Sequence, residues 1–236
     1  GKKYFYIFDY CKNFEYFRNQ KNTVELKGNS ATLGERIFAK RIQIIARLQI
    51  ERYGSEDYQS WRSELVDECY KEITNLDVTK PVVRLQLKYV DKYSVKTSFN
   101  YLSNINEHEL ITYVAPLICA DVKENLARGF DNFVYEGILN LFNGQSLDYF
   151  KKRVITLSNT LLQKISIEQI RKKQKFLKLI KEDAYWQIVD ALQLNHLRKE
   201  LRDLIQFLDV AERRVIITTI SDSVLLTREG DTLMPE

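Results

Sequence analysis

Three sets of side chains in this sequence are of types that could do chemistry. The first is Glu25-Leu26-Lys27, a carboxylate and an amine two positions apart on a short strand-like piece. That pair ends the signature of metal-dependent nucleases, where the carboxylate holds a divalent ion and the lysine steadies the phosphate. The chemistry also needs an earlier aspartate on an adjoining strand, and Asp9 is the upstream candidate. A bare E-x-K arises often by chance, and these residues read far more readily as a solvated linker. The second set is His108 and His196, the two histidines of the chain; neither has a second ligand at metal-binding spacing on its helical face. The third is basic: Lys151-Lys152-Arg153 and Arg171-Lys172-Lys173, followed by Lys175, Lys178 and Lys181. On two antiparallel helices these bases could form a stripe for phosphates, or simply a solvated face partly neutralised by Glu168, Glu182 and Asp183. No phosphate-cradling, dinucleotide-binding or nucleophile-elbow glycine motif accompanies them.

The background to these sets is ordinary globular material. Of 236 residues, 44% are hydrophobic and 29% charged, enough for one sizeable core or two small ones. The net charge of +4 is too small to imply a nucleic-acid partner by itself. No run approaches the ~18 apolar residues of a membrane helix, and no leader opens the chain, so a cytoplasmic protein with no membrane partner is expected. Cys11, Cys69 and Cys119 are odd in number and scattered, which suggests reduced buried thiols. The chain starts Gly1-Lys2-Lys3, without Met, and enters an apolar run at once. That reads as a piece of a longer protein, with Gly1 a possible tag remnant.

With 8 Gly and 3 Pro the chain is a poor candidate for a turn-rich β protein. Its Leu, Ile, Lys, Glu, Gln and Arg content favours helices. The expected class is mainly α, a multi-helix domain of roughly eight or nine helices with a short strand near each end. Tyr4–Tyr10 is the first strand-like segment, Arg214–Ile220 the second, and Ser223–Thr227 could add another. Between them Thr32-Leu33-Gly34-Glu35 opens a helix bearing Ile37, Phe38, Ile42, Ile45 and Leu48, with Gly54 as its left-handed stop. A second helix carries Tyr58, Trp61, Leu65, Cys69 and Ile73. After Lys80-Pro81 a helix with Val83, Leu87 and Val90 is preferred over a strand. Asn104 with Glu107 starts the next, which Pro116 should end or kink. A helix with Phe130, Phe133, Tyr135, Ile138 and Leu141 stops at Asn143-Gly144. Ser146 caps another with Tyr149, Phe150, Val154, Leu157 and Leu161. Ser166 with Gln169 opens one running to Lys181, and a long helix spans Trp186 to Asp209. In that last helix Leu194, Leu197, Leu201, Leu204 and Leu208 form one seam, flanked by Arg198, Lys199, Glu200, Arg202 and Asp203. The seam is either a docking face or the interior of the bundle.

Phe5-Tyr6-Ile7-Phe8-Asp9-Tyr10-Cys11-Lys12-Asn13-Phe14-Glu15-Tyr16-Phe17 resembles an aromatic strand in the R subunits of type I restriction enzymes, F-x-I-F-D-(Y/W)-C-x-N-(F/L)-E-(F/Y)-F. Two later segments are similar to the helical C-terminal domain of the same family. One is Ala115-Pro116-Leu117-Ile118 with Asp121, Ala127, Arg128, Phe130 and Asp131. The other is Tyr185-Trp186 with Leu197-Arg198-Lys199-Glu200-Leu201-Arg202-Asp203-Leu204-Ile205. Their order agrees, while residues 31 to 100 match only loosely.

The resemblance implies a nuclease, then two RecA-like motor domains, then a helical domain that docks the motor on the modification (M) and specificity (S) subunits. It implies that residues 1–30 end the second motor domain plus a linker, that 31–209 are the helical domain, and that 210–236 are a terminal strand or hairpin. The whole subunit would be a type I site-specific deoxyribonuclease acting on double-stranded DNA, with ATP and Mg. No position here matches its catalytic or cofactor-binding residues, so this piece is expected to be inactive by itself and without cofactor. The other readings are a stand-alone helical nucleic-acid-binding module using Lys151, Lys152, Arg153, Arg171, Lys172 and Lys173, and a metal nuclease built on Glu25 and Lys27.

Overall fold

The computed structural model describes residues 31–118 and 125–217. Those from Thr32 onward belong to one compact unit. Among the described residues there are twelve α-helices and no strand. The Tyr4–Tyr10 and Ser223–Thr227 segments, Asp9, Glu25, Lys27, Cys11 and Cys119 lie outside the described residues.

Helix α1, Leu33–Leu48, starts where expected: the Thr32 hydroxyl accepts from the Glu35 amide at 3.2 Å. Its apolar positions Ile37, Phe38, Ile42, Ile45 and Leu48 are all fully buried. It stops at Leu48, and Gly54 instead closes a 3₁₀ turn, Glu51–Tyr53, with φ −78°, so no left-handed residue ends α1. Helix α2, Glu56–Thr74, buries Trp61, Leu65, Cys69 and Ile73. The segment after Pro81 is helical, as two short pieces, α3 Pro81–Arg84 and α4 Leu87–Tyr93. Helix α5, Asn104–Glu109, is capped by Ser103, whose hydroxyl accepts from the Asn106 amide, one residue before the expected cap. It runs on into a π turn, Leu110–Val114, and a 3₁₀ turn, Ala115–Leu117. Pro116 cannot donate to the turn before it and crowds that turn, which accounts for the widening and the end of the helix.

The central element is α6, Asn125–Phe142. It packs α1 on one side and α11, Ala191–Leu201, on another, with the 3₁₀ turn Arg202–Phe207 beside it. Phe130, Val134, Tyr135 and Ile138 are fully buried in this sandwich. The helix ends at Gly144, whose φ of +66° is the left-handed conformation that glycine adopts without strain. Gly137, inside α6, lets the ring of Phe150 approach: a Cβ there would lie 2.7 Å from two ring carbons. Phe150 belongs to α7, Asp148–Gln163, and stacks on Phe133 at 4.7 Å. Ser146 serves the start of α7 by accepting from the Asp148 amide at 3.0 Å.

Two expected long helices are broken. The Ser166–Lys181 stretch divides at Lys173 into α8, Glu168–Lys172, and α9, Gln174–Leu179. The Trp186–Asp209 stretch becomes α10, Asp183–Gln187, then α11, then the 3₁₀ turn. The cause is visible at Asp190, which forms a full capping box with Gln193 and so restarts the chain as a new helix. The same device corrects the expected C-terminal strand. Arg214–Ile217 are the end of α12, Val210–Ile217. Asp209 accepts from the Glu212 amide and Glu212 accepts from the Asp209 amide, each at 2.8 Å. This reciprocal cap overrides the β preference of Val215, Ile216 and Ile217.

Candidate functional site

The basic runs lie on α7 and around α8, and several of their bases are paired with acids. Consecutive helical residues point about 100° apart, so three adjacent bases spread over about 200°. In α7, Lys151 turns to Asp183 at 2.6 Å, Lys152 is exposed, and the Arg153 guanidinium lies over the Tyr149 ring at 4.7 Å. The hydrogen bond and charge of Lys151 hold the Asp183 carboxyl below its usual range. On α8, Arg171 is exposed and Lys172 pairs with Glu168 at 2.9 Å; Lys173 pairs with Glu200 at 2.6 Å. Three of the six bases therefore already have carboxylate partners within the chain. His108 lies beside the Thr112 hydroxyl and edge-on to Tyr113, and His196 edge-on to Phe176.

The densest arrangement of charge is in the interior, and it is not among the sequence candidates. Asp131 on α6 is 1% exposed. It accepts from Arg198 Nη1 at 3.0 Å, and from Arg202 Nε and Nη2 at 3.3 and 3.0 Å. Asn195 Oδ1 accepts from Arg198 Nε at 3.1 Å. One turn along α6, two guanidiniums lie over the ring of Tyr135, Arg198 at 5.1 Å and Arg41 at 5.8 Å from the ring centre. Arg41, on α1, donates to Glu72 at 3.1 Å, and lies 2.8 Å from Glu68 as an ion pair without aligned hydrogen-bond geometry. Arg128 joins the same Glu72 oxygen at 3.2 Å.

Burial pushes the Tyr135 phenol above its ordinary pKa, against the pull of the two arginines, and its hydroxyl has no hydrogen-bond partner. Burial by itself disfavours the charge on Arg41, yet Tyr135, Glu68 and Glu72 outweigh it and hold its pKa above the ordinary value. The arrangement joins α1, α2, α6 and α11 by charge inside the core. It is built for positioning helices: each carboxylate is committed to guanidinium, and two guanidiniums lie against the Tyr135 ring. A sequence signal did exist, since Asp131 stands within the bulky run Phe130 to Tyr135, where an acid must find a partner.

The leucine seam is the interior of the bundle. Leu194, Leu197 and Leu201 are fully buried, and Leu204 and Leu208 nearly so. Its charged flanks are also engaged: Arg198 and Arg202 with Asp131, Lys199 with Glu64 at 2.6 Å, Glu200 with Lys173. A polar cleft of about 330 Å³ lies between α1 and α6, where Lys40 pairs with Glu136 at 2.5 Å and Arg47 donates to Asn143 at 3.2 Å. Burial raises the Glu107 carboxyl at its rim, against the charge of Arg47. Among the described residues no helix is long and apolar enough to cross a membrane, and no group of three or more His, Cys, Asp or Glu is placed to hold a metal. No protein-family model, curated protein or solved structure matches the chain.

Proposed function

We propose that this chain is the C-terminal helical part of the R subunit of a type I restriction enzyme, coupling the motor to the methyltransferase core. In this reading the whole subunit translocates and cleaves double-stranded DNA with ATP and Mg. This part supplies docking, in the cytoplasm, to the M and S subunits. The observation that carries the reading is the Asp131 ion pair. The segments around residues 115–131 and 185–205 each resemble the family, and Asp131 of the first is held by Arg198 and Arg202 of the second. Segments read as parts of one helical domain thus share one buried contact. The pairing of Lys151, Lys172 and Lys173 with acids favours protein docking over phosphate binding by those two clusters.

The test is a pull-down of this chain with the M and S core, with and without DNA, across a salt series. Retention without DNA at moderate salt is the expected result. Retention only with DNA, lost as salt rises, would sink the docking reading, because phosphate binding weakens steeply with salt.

A further inference from the structure

A second group of exposed basic side chains lies between residues 80 and 96. Lys80, Arg84, Lys88, Lys92 and Lys96 recur at every fourth position, and from Lys80 to Lys96 a single acid, Asp91, stands against them. The surplus of four positive charges in this stretch equals the net charge of the whole chain, +4. A step of four residues turns only about 40° around a helix axis and rises about 6 Å, so such bases share a face. Arg84 ends α3 and Lys88 and Lys92 lie on α4, with Leu85 (φ −62°, ψ −26°) and non-helical Gln86 (φ −110°, ψ 14°) between them; Lys80 is the extended residue before α3, and Lys96 follows extended Val95. The opposite side is buried through Val83, Val90 and Tyr93, and all five bases are exposed. Lys92 pairs with Glu109 at 2.6 Å and Lys96 with Asp67, while Lys80, Arg84 and Lys88 have no ion pair among the described residues. Two further acids lie near the ridge, Asp77, engaged with Thr79, and exposed Asp91, beside the Glu109 and Asp67 that pair with Lys92 and Lys96.

We propose that this α3–α4 ridge binds the phosphate backbone of duplex nucleic acid, with Lys80, Arg84 and Lys88 as its contacts. Lys88 and Lys92 on α4 are about 6 Å apart along the axis, near the spacing of neighbouring phosphates. The apolar side of this stretch, Val83, Val90 and Tyr93, is already in the core, which leaves its charge as the feature it offers a partner. The exposed apolar side chains here, Val78, Leu85, Leu87 and Val95, are scattered among the bases and do not form the continuous apolar face of a helix lying in a lipid interface. The contact is independent of base sequence, and it stands apart from the docking reading, which concerns a different partner.

The test uses the full chain, a fluorescent duplex of random sequence and anisotropy across a salt series. Lys80→Gln/Arg84→Gln/Lys88→Gln should lose at least about tenfold in affinity at low salt, and its log–log salt slope should fall by about 3, about 0.9 per phosphate contact. Arg84→Gln alone should lower the slope by about 1. Lys151→Gln/Lys152→Gln/Arg153→Gln should leave the slope nearly unchanged. An unchanged slope in the first variant, or tighter binding to anionic vesicles than to the duplex, would overturn the proposal. Failure of the M and S pull-down with this result intact would remove the docking reading alone.

Discussion

Asp131 shows what a single side chain can decide in this core. It is nearly inaccessible and accepts three hydrogen bonds from two guanidiniums. Removing one partner of a buried ion pair strands the other charges, at a cost of about 3–5 kcal/mol. Asp131→Ala should therefore lose about that much in urea unfolding, far beyond a typical surface change. A loss under about 1 kcal/mol would mean that Arg198 and Arg202 reach solvent instead. The composition of the segment hid this role. Arg198 and Arg202 sit beside Lys199, Glu200 and Asp203, so along the sequence they read as the wet flank of a leucine seam. Which of five adjacent charges turns inward depends on where α6 places Asp131, and that is a property of packing, not of local pattern.

At the scale of elements, close approach governs α6 and α7. Alanine is a better helix former than glycine by about 1 kcal/mol, so Gly137→Ala would stabilise an isolated α6. In the bundle the added methyl meets the Phe150 ring at 2.7 Å. Overpacking of that kind costs about 1–3 kcal/mol. Thermal melting should show a net loss for Gly137→Ala, largely relieved in Gly137→Ala/Phe150→Leu; a rise in melting temperature for the single variant would show that α7 yields freely. Apolar periodicity revealed the helices themselves well. Every apolar position expected on α1 is buried, as are Trp61, Leu65, Cys69 and Ile73 on α2. Helix ends were less legible. Asp190 and Asp209 each cap with a side chain three residues on, Gln193 and Glu212. Those caps lie inside runs whose periodicity or β-branching outweighed them in the reading of sequence. For the basic candidates the structure adds pairing that adjacency in sequence does not reveal: Lys151, Lys172 and Lys173 each meet an acid.

For the molecule as a whole, alkaline pH is the informative stress. Tyr58 on α2 and Tyr185 on α10 are both pushed up to about 12, first by burial and next by the Asp190 charge. An unfolded tyrosine ionises near pH 10. With the folded pKa raised, this contribution to stability is complete below about pH 10 and drains away as pH climbs toward 12. The urea midpoint should hold to about pH 9 and fall by about pH 11.5, with Asp190→Asn shrinking the drop. A flat midpoint across that window would contradict the raised pKa values of the two phenols.

The core ion pair also sets a timetable for synthesis. Arg198 and Arg202 lie 67 and 71 residues beyond Asp131. At about 5–20 residues per second, a ribosome would release α6 some 3–14 seconds before its counter-charges exist. During that interval the nascent half would carry an aspartate it cannot bury, so α6 would stay loosely seated on α1 until the C-terminal helices emerge and lock it.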